Sequence, residues 1–244
     1  MPPSARRSRA SRRAAAGSWR ADAMGVLLLV RHGQASFGAD DYDVLSQTGW
    51  EQGRTLGRWL AEHGPAPASV VHGGMRRHRE TWEAIAEGAG LDPASGIDHD
   101  WAEFDHLAVL ARHAELTGVT MAHDVDRRAF QEHFEVSTGH WAAADESAGY
   151  PEPYDAFIAR ARRALEAAAA QPGPALVVTS GGVIAALAAA LVVPEGGEIG
   201  PVWARFNTVI ANTSLTRVIV GSTGARLLTF NEHPHLPRDL VTYR

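Results

Sequence analysis

The sequence contains no cysteine and no lysine. The absence of cysteine excludes disulfide bonds and thiolate-bound metals, and it fits a reducing compartment, so we expect a cytoplasmic protein. All 23 basic residues are arginines, which we interpret as a compositional bias and not as a sign of function. Hydrophobic residues at 45% and charged residues at 21% are ordinary values for a globular protein, which excludes fibrous and disordered classes for the chain as a whole.

The sequence also lacks a long uninterrupted hydrophobic run. Its most apolar stretch, residues 175–193, is broken by Thr179-Ser180-Gly181-Gly182. A helix that crosses a bilayer needs roughly 20 apolar residues without such a break. We therefore expect a short strand, a turn and a buried helix in this stretch, and no association with a membrane.

Basic residues are concentrated at the amino end. Residues 1–23 contain six arginines and one acid, and we interpret them as a disordered basic tail, or as the result of a misassigned start with Met24 as the true first residue. The remaining residues keep 17 of the 23 arginines and 27 of the 28 acids, a formal net charge of −10. Because nucleic-acid phosphates favour a basic surface, we expect no nucleic-acid partner.

Short apolar runs alternate with segments of helical periodicity, a pattern typical of an α/β protein. The predicted strands lie at residues 27–30, 69–72 and 175–178, followed by two β-rich stretches at 213–220 and 226–230. The predicted helices run from a cap at Ser46 or Thr48 to about residue 63, and over about 75–87, 154–170 and 183–191. We predict a three-layer α/β/α fold with a largely parallel sheet, whose antiparallel edge is a hairpin.

Residues 88–153 break this alternation, since they contain no clear strand and show helical patterns only near residues 107–116 and 127–134. We interpret residues from about 104 to 150 as a helical insertion within a single domain that spans residues 24–244. Insertions of this kind can close over a pocket.

Polar residues directly follow the first predicted strand, in the order Arg31, His32 and Gly33. The carboxyl ends of parallel strands border the ligand crevice of open α/β sheets. Histidine can attack as a nitrogen nucleophile near neutral pH, arginine presents a planar fork to phosphate oxygens, and glycine permits a close backbone approach. This combination indicates phosphoryl transfer through a phosphohistidine.

Five further motifs follow in a fixed order. The complete set is Leu29-Val30-Arg31-His32-Gly33-Gln34, Leu45-Ser46 with Gly49-Trp50-Glu51-Gln52, Met75-Arg76-Arg77-His78-Arg79-Glu80-Thr81, Ala102-Glu103-Phe104-Asp105-His106, Val177-Val178-Thr179-Ser180-Gly181-Gly182-Val183-Ile184 and Asn212-Thr213-Ser214. Through these motifs, about residues 26–236 resemble the histidine phosphatase superfamily, which has the phosphoglycerate-mutase-like fold.

The resemblance implies a role for each matched residue. His32 would attack phosphorus, with its second ring nitrogen donating to a backbone carbonyl. Arg31 and Arg77 would bind the nonbridging phosphate oxygens. Glu103 would protonate the leaving oxygen, with Asp105 as the alternative acid. No cofactor and no metal ion is expected.

One position departs from the pattern of the superfamily, which usually has a second catalytic histidine where this chain has Ser180. Loss of one preorganised donor costs about 10²–10³ in rate, so we expect activity to be weakened without being abolished. Ser180 and Gly181 at a predicted helix start would still favour an anion, although Ser180 has a purely structural alternative as a helix cap. His106 is a candidate to supply the imidazole, and Gln34 is a further candidate pocket residue.

Together these residues predict a metal-independent phosphomonoester hydrolase that acts on a phosphorylated small molecule through a phosphohistidine on His32. Two alternatives remain open. One is a phosphoglycerate-type mutase, although residues 104–150 do not contain a recognisable segment of the cofactor-dependent mutases. The other is a weakly active or noncatalytic phospholigand-binding member. A homo-oligomer is compatible with the sequence.

Overall fold

In the computed structural model, which describes residues 25–36, 43–120 and 126–243, six strands form one sheet. The predicted basic tail at residues 1–23 lies outside the described residues. The strands are β1 (Gly25–Arg31), β2 (Ser69–His72), β3 (Gly96–Ile97), β4 (Ala175–Thr179), β5 (Leu215–Gly221) and β6 (Gly224–Glu232). Their order across the sheet is β3-β2-β4-β1-β5-β6.

The first four strands are parallel to one another, since β4 pairs in parallel with β1 and β2, and β2 with β3. Strand β5 is antiparallel to β1 and forms a hairpin with β6. This confirms the predicted largely parallel sheet with an antiparallel edge. Strands β1 and β4 lie at the centre, and their almost continuous apolar sequences reflect burial on both faces of the sheet.

Seven α-helices are described, and they are α1 (Gln47–His63), α2 (Arg76–Ala89), α3 (His106–Thr117), α4 (Arg127–Ala143), α5 (Tyr154–Ala169), α6 (Gly181–Val192) and α7 (Ile199–Val209). Alternate residues of β1 point to opposite faces, so Leu28 packs with α1 and α2 while Leu27 packs with α5 and α6. This arrangement is the predicted three-layer α/β/α fold. Within the described residues, no helix is both long enough and apolar enough to cross a membrane.

The structure adds two elements that the sequence pattern did not predict. Strand β3 lies inside residues 88–153, where no strand was expected, but it has only two residues, both exposed, and so carries no apolar pattern. Helix α7 begins with Ile199, Gly200 and Pro201, which are typical of a turn. Proline is nevertheless tolerated in the first turn of a helix, and Trp203 buries the helix against the core.

Helices α3 and α4 occupy the segment that was predicted as a helical insertion, and α4 extends nine residues beyond the predicted pattern. The additional length brings Trp141 into the core, where its ring lies 4.7 Å from that of Phe104 and 5.8 Å from that of Trp203. Phe104 directly follows the candidate acid Glu103. The carboxyl end of α4 therefore packs behind the candidate site.

Glycines allow α1 and α2 to pack backbone against backbone. A Cβ atom at Gly57 would lie 2.1 Å from the carbonyl oxygen of Ile85, and one at Gly88 would lie 2.1 Å from that of Arg54. Real Cβ atoms do not approach so closely, so these positions fix the distance between the two helices. Since α2 carries Arg77, this packing also sets the position of a candidate site residue.

We predict that Gly57→Ala lowers the free energy of unfolding by about 1–3 kcal/mol, because the added methyl group must push the helices apart. The matched control is Gly139→Ala in α4, where a Cβ meets no atom within 4 Å. That replacement is expected to be neutral or to stabilise by up to ~1 kcal/mol, since alanine has the higher helix propensity. Urea denaturation of both variants measures the difference, and equal effects would contradict the packing argument.

Candidate active site

His32 follows the last residue of β1, and hydrogen bonds hold its own backbone on two sides. Its N–H donates to the carbonyl of Thr179 at the end of β4 at 2.9 Å, and its own carbonyl accepts from Asn212 Nδ2 at 3.1 Å. Thr213, the residue after Asn212, has a φ of 55°, which is unusual for a β-branched residue. Its N–H donates to the Arg31 carbonyl at 3.0 Å. The main chain around His32 is thus fixed by both neighbouring strands.

The ring of His32 has a defined orientation. Its Nδ1 lies 2.7 Å from the carbonyl oxygen of Gly33. Because a carbonyl only accepts, Nδ1 carries the proton of the neutral ring and Nε2 keeps its lone pair. Burial, followed by the positive charges of Arg77 and Arg31, lowers the pKa of His32 well below 6.5. The ring is therefore neutral at pH 7, with Nε2 able to act as a nucleophile.

The guanidinium of Arg31 is anchored from the carboxyl-terminal part of the chain. Its Nη1 donates to the carbonyls of Ile210 and Tyr243, the latter at 2.9 Å. A Cβ at Gly181 would lie 3.0 Å from the Ile210 side chain and 3.4 Å from Arg31 Nε. Glycine at the start of α6 thus leaves room for the Ile210 side chain, and the Ile210 carbonyl accepts from Arg31.

Arg77 lies in the first turn of α2 and is only 7% exposed. Its Nη1 donates to a carboxylate oxygen of Asp43 at 2.7 Å. Thr81, one turn further along, accepts from the Gly33 N–H at 2.9 Å and donates to the Arg77 carbonyl at 2.6 Å. The start of α2 is therefore tied directly to the residue after His32.

Glu103 reaches the amino end of α6. One carboxylate oxygen accepts from the Gly182 N–H at 3.0 Å, and the other from the N–H of Phe104 at 3.2 Å. A Cβ at position 182 would lie 2.3 Å from this carboxylate, so the approach requires glycine. Burial raises the pKa of Glu103, and this effect outweighs the opposing influence of the amide bonds and the nearby arginines. A carboxyl group that holds its proton more tightly than usual suits a general acid.

Arg160 in α5 holds the loop that carries Glu103, a role that no sequence pattern indicates. Its Nη1 donates to the carbonyls of Asp100 at 3.0 Å and Ala102 at 2.6 Å. Its other nitrogens form a two-point contact with Glu152 at 2.7 and 3.0 Å. The loop is thus attached to α5 directly before the candidate acid.

The remaining predicted residues have other contacts. Asp105 is exposed and caps α3 by accepting from the Ala108 N–H at 3.0 Å. His106 is the first residue of α3, and its ring lies 6.4 Å from that of Phe134. The Gln34 side chain accepts from the Ser46 hydroxyl at 2.8 Å. Asp105 and Gln34 therefore take part in local structural contacts. Glu103 is the carboxylate that lies at the start of α6.

Ser180 occupies the N-cap position of α6, but its side chain makes no capping hydrogen bond. Its hydroxyl lies 2.7 Å from Nε2 of His78 instead. His78 received no predicted role, although it stands between Arg77 and Arg79 in one of the matched motifs. Its spacing to the buried residues Trp82 and Ile85 repeats at helical intervals of four and seven, and this was the signal that could have found it.

Within the described residues, no group of three or more histidines, aspartates or glutamates is placed to hold a metal ion. The site consists of an imidazole, two guanidinium groups and a carboxyl group, which come from the end of β1, from α2 and from the loop before α3, with the carboxyl group held at the start of α6. These are groups that bind phosphate and transfer protons.

The profile of the histidine phosphatase superfamily (branch 1) matches residues 27–233. The chain therefore belongs to this superfamily. A comparison with curated proteins gives no significant match.

Solved structures of the same fold include phosphatase and mutase members. Mycobacterial hydrolase 2 is 22% identical over 89% of this chain and 95% of that chain, with a TM-score of 0.61. A phosphoglycerate mutase from Bacillus anthracis str. Sterne is 19% identical over 87% of this chain and 95% of that chain, with a TM-score of 0.60. Mycobacterial glucosyl-3-phosphoglycerate phosphatase, solved with inorganic phosphate, is 23% identical over 87% of this chain and 99% of that chain, with a TM-score of 0.57.

We predict that Arg160→Gln loosens the loop before Glu103. Losing the charged donors to two backbone carbonyls is expected to lower the free energy of unfolding by about 1–3 kcal/mol and to speed amide exchange in residues 98–104. The matched control is Arg162→Gln, an exposed position of the same helix. Hydrogen–deuterium exchange measures both variants, and an unchanged exchange rate in Arg160→Gln would contradict this role.

Proposed function

We propose that the protein is a metal-independent phosphomonoester hydrolase that acts on a phosphorylated small molecule through a phosphohistidine on His32. The observation that carries the proposal is the buried, neutral imidazole of His32, oriented by the Gly33 carbonyl and close to the charges of Arg31 and Arg77. Membership of the histidine phosphatase superfamily supports it.

In the first step, Nε2 of His32 attacks phosphorus and the bond from phosphorus to the leaving oxygen breaks. Glu103 donates its proton to the leaving alkoxide. In the second step, the Glu103 carboxylate takes a proton from water, whose oxygen displaces His32 from phosphorus. Inorganic phosphate leaves, and the imidazole and the carboxyl group return to their starting states.

The two arginines supply electrostatic stabilisation. Phosphoryl transfer depends mainly on positioning and on stabilising charge on the nonbridging oxygens. Arg31 and Arg77 are suited to this because carbonyls and Asp43 hold their guanidinium groups in place before any substrate binds. Preorganised donors of this kind do not have to reorganise during the reaction.

Ser180 is proposed to stand where the superfamily usually has its second histidine. The amino end of α6 still favours an anion through the helix dipole and the first-turn amides other than that of Gly182, which donates to Glu103. Hydrolysis therefore remains the proposed reaction with serine at this position.

A mutase is the main competing function, and the similarity to the phosphoglycerate mutase from Bacillus anthracis favours it. The hydrolase is preferred because residues 104–150 contain no recognisable segment of the cofactor-dependent mutases. A mutase would move phosphate between glycerate positions without releasing it, whereas a noncatalytic member would bind phosphate and do neither.

We predict that His32→Ala lowers phosphate release from a panel of phosphomonoesters by at least about 10³-fold, because the nucleophile is lost. Release is expected to be unaffected by a chelator, and the control His63→Ala, an exposed residue of α1, should match the parent. An alkaline quench should trap phosphohistidine in the parent and in the control, but not in His32→Ala. Release that survives His32→Ala, or that disappears with the chelator, would overturn the mechanism.

The pH profile supplies a separate prediction, since the reaction needs His32 unprotonated and Glu103 protonated. Because the pKa of His32 is lowered, the acid limb of kcat/KM should lie below the ordinary histidine value of 6.5. Because the pKa of Glu103 is raised, the alkaline limb should lie above the ordinary value of 4.5. Glu103→Gln should slow the reaction and remove the alkaline limb. An alkaline limb that persists in this variant would assign the acid to another residue.

A further inference from the structure

His78 and Ser180 form a buried pair beside the candidate nucleophile, and the mechanism above does not use it. The two residues come from α2 and from the start of α6, and each is 0% exposed. His78 Nε2 and Ser180 Oγ are 2.7 Å apart, and the rings of His78 and His32 lie 5.7 Å apart, centroid to centroid. Thr179, the residue before Ser180, accepts the backbone hydrogen bond of His32.

The Ser180 hydroxyl is not used as a helix cap. Serine at an N-cap normally accepts from an N–H of the first turn. Ser46, Asp105 and Asp126 do this in α1, α3 and α4, each accepting from the N–H three residues further along. The hydroxyl of Ser180 instead points to an imidazole. Its position therefore serves something other than the start of α6.

The hydrogen-bond inventory of His78 fixes the direction of its bond to Ser180. Among the described residues, His78 Nδ1 is buried without a hydrogen-bond partner. Burial, followed by the charge of Arg77, lowers the pKa of His78 well below 6.5, so the ring is neutral at pH 7. A neutral ring has one N–H, and an orphaned buried N–H is rarer than an orphaned acceptor. The proton therefore lies on Nε2, which donates to Ser180 Oγ.

The direction of this bond also determines what the hydroxyl proton of Ser180 can do. If Ser180 Oγ accepts from His78, its own O–H points elsewhere and is available as a donor. His32 is only 7% exposed, and its ring lies 5.7 Å from that of His78, the partner of Ser180. At that depth one well-directed donor has a large effect on developing negative charge.

We propose that His78 is a positioning residue whose Nε2–H holds Ser180 Oγ, so that the Ser180 hydroxyl donates to the phosphoryl group carried by His32. The imidazole thus acts on the reaction through the serine and not by direct contact. This inference rests on the proposed function, since it assigns the pair a task in phosphoryl transfer on His32.

The test compares two replacements that fill a similar volume. His78→Phe keeps a ring but loses the donor, whereas His78→Gln places an amide N–H near the position of Nε2. We expect His78→Phe and Ser180→Ala each to lower kcat by about 10²–10³-fold with little change in KM, and His78→Gln to lose less than about 10-fold. If the pair had a merely structural role, the losses in kcat would follow the losses in stability. Thermal unfolding of each variant measures that stability.

The double variant H78F/S180A completes the test. Because both residues act through one hydroxyl, the double variant should be no slower than Ser180→Ala alone. Equal rates for His78→Phe and His78→Gln, or additive losses in the double variant, would overturn the inference.

Trapping of phosphohistidine separates this inference from the proposed function. If the parent forms phosphohistidine on His32 while His78→Phe and Ser180→Ala turn over at the parental rate, only the role of the pair fails. If His32→Ala keeps the parental rate, the proposed function fails, and the role of the pair with it.

Discussion

The hydrogen bond between Nδ1 of His32 and the Gly33 carbonyl sets the chemical state of the candidate site. It leaves Nε2 with a lone pair, and burial among positive charges keeps the ring neutral. The same glycine donates its N–H to Thr81, which in turn bonds to the Arg77 carbonyl. The orientation of the imidazole and the position of an arginine are therefore fixed through a single residue. Asn212, which lies shortly before β5, donates to the His32 carbonyl and so holds the main chain from the side of that strand.

The carboxyl group of the site is held by longer-range contacts. Glu103 sits in a loop without regular structure, which alone would not hold a carboxyl group in place. Arg160 attaches the loop to α5, and the Gly182 amide receives the carboxylate at the start of α6. The burial that raises the pKa of Glu103 is produced by the same packing. Position and protonation of this group thus depend on elements separated widely in sequence.

Most of the fold follows from local pattern. The central strands β1 and β4 are continuous apolar runs, and the helices α1, α2, α5 and α6 begin and end within a few residues of their predicted bounds. Strand β3 is too short to have a pattern, and α7 begins with residues typical of a turn. In the site, Arg31 and His32 were predicted because they stand at the carboxyl end of an apolar run, and in the structure Arg31 ends β1 and His32 follows it. His78 was missed because its partner lies 102 residues away.

The anchoring of Arg31 by Tyr243 has a practical meaning for the carboxyl end of the chain. This contact is joined by two others, in which Thr242 accepts the Asn212 N–H and Gln52 reaches the Leu240 carbonyl. The last described residues are therefore part of the scaffold that orients a guanidinium group. Deletion of Thr242 and Tyr243 would remove a carbonyl that holds this arginine, so such a deletion would change anion affinity without touching the imidazole.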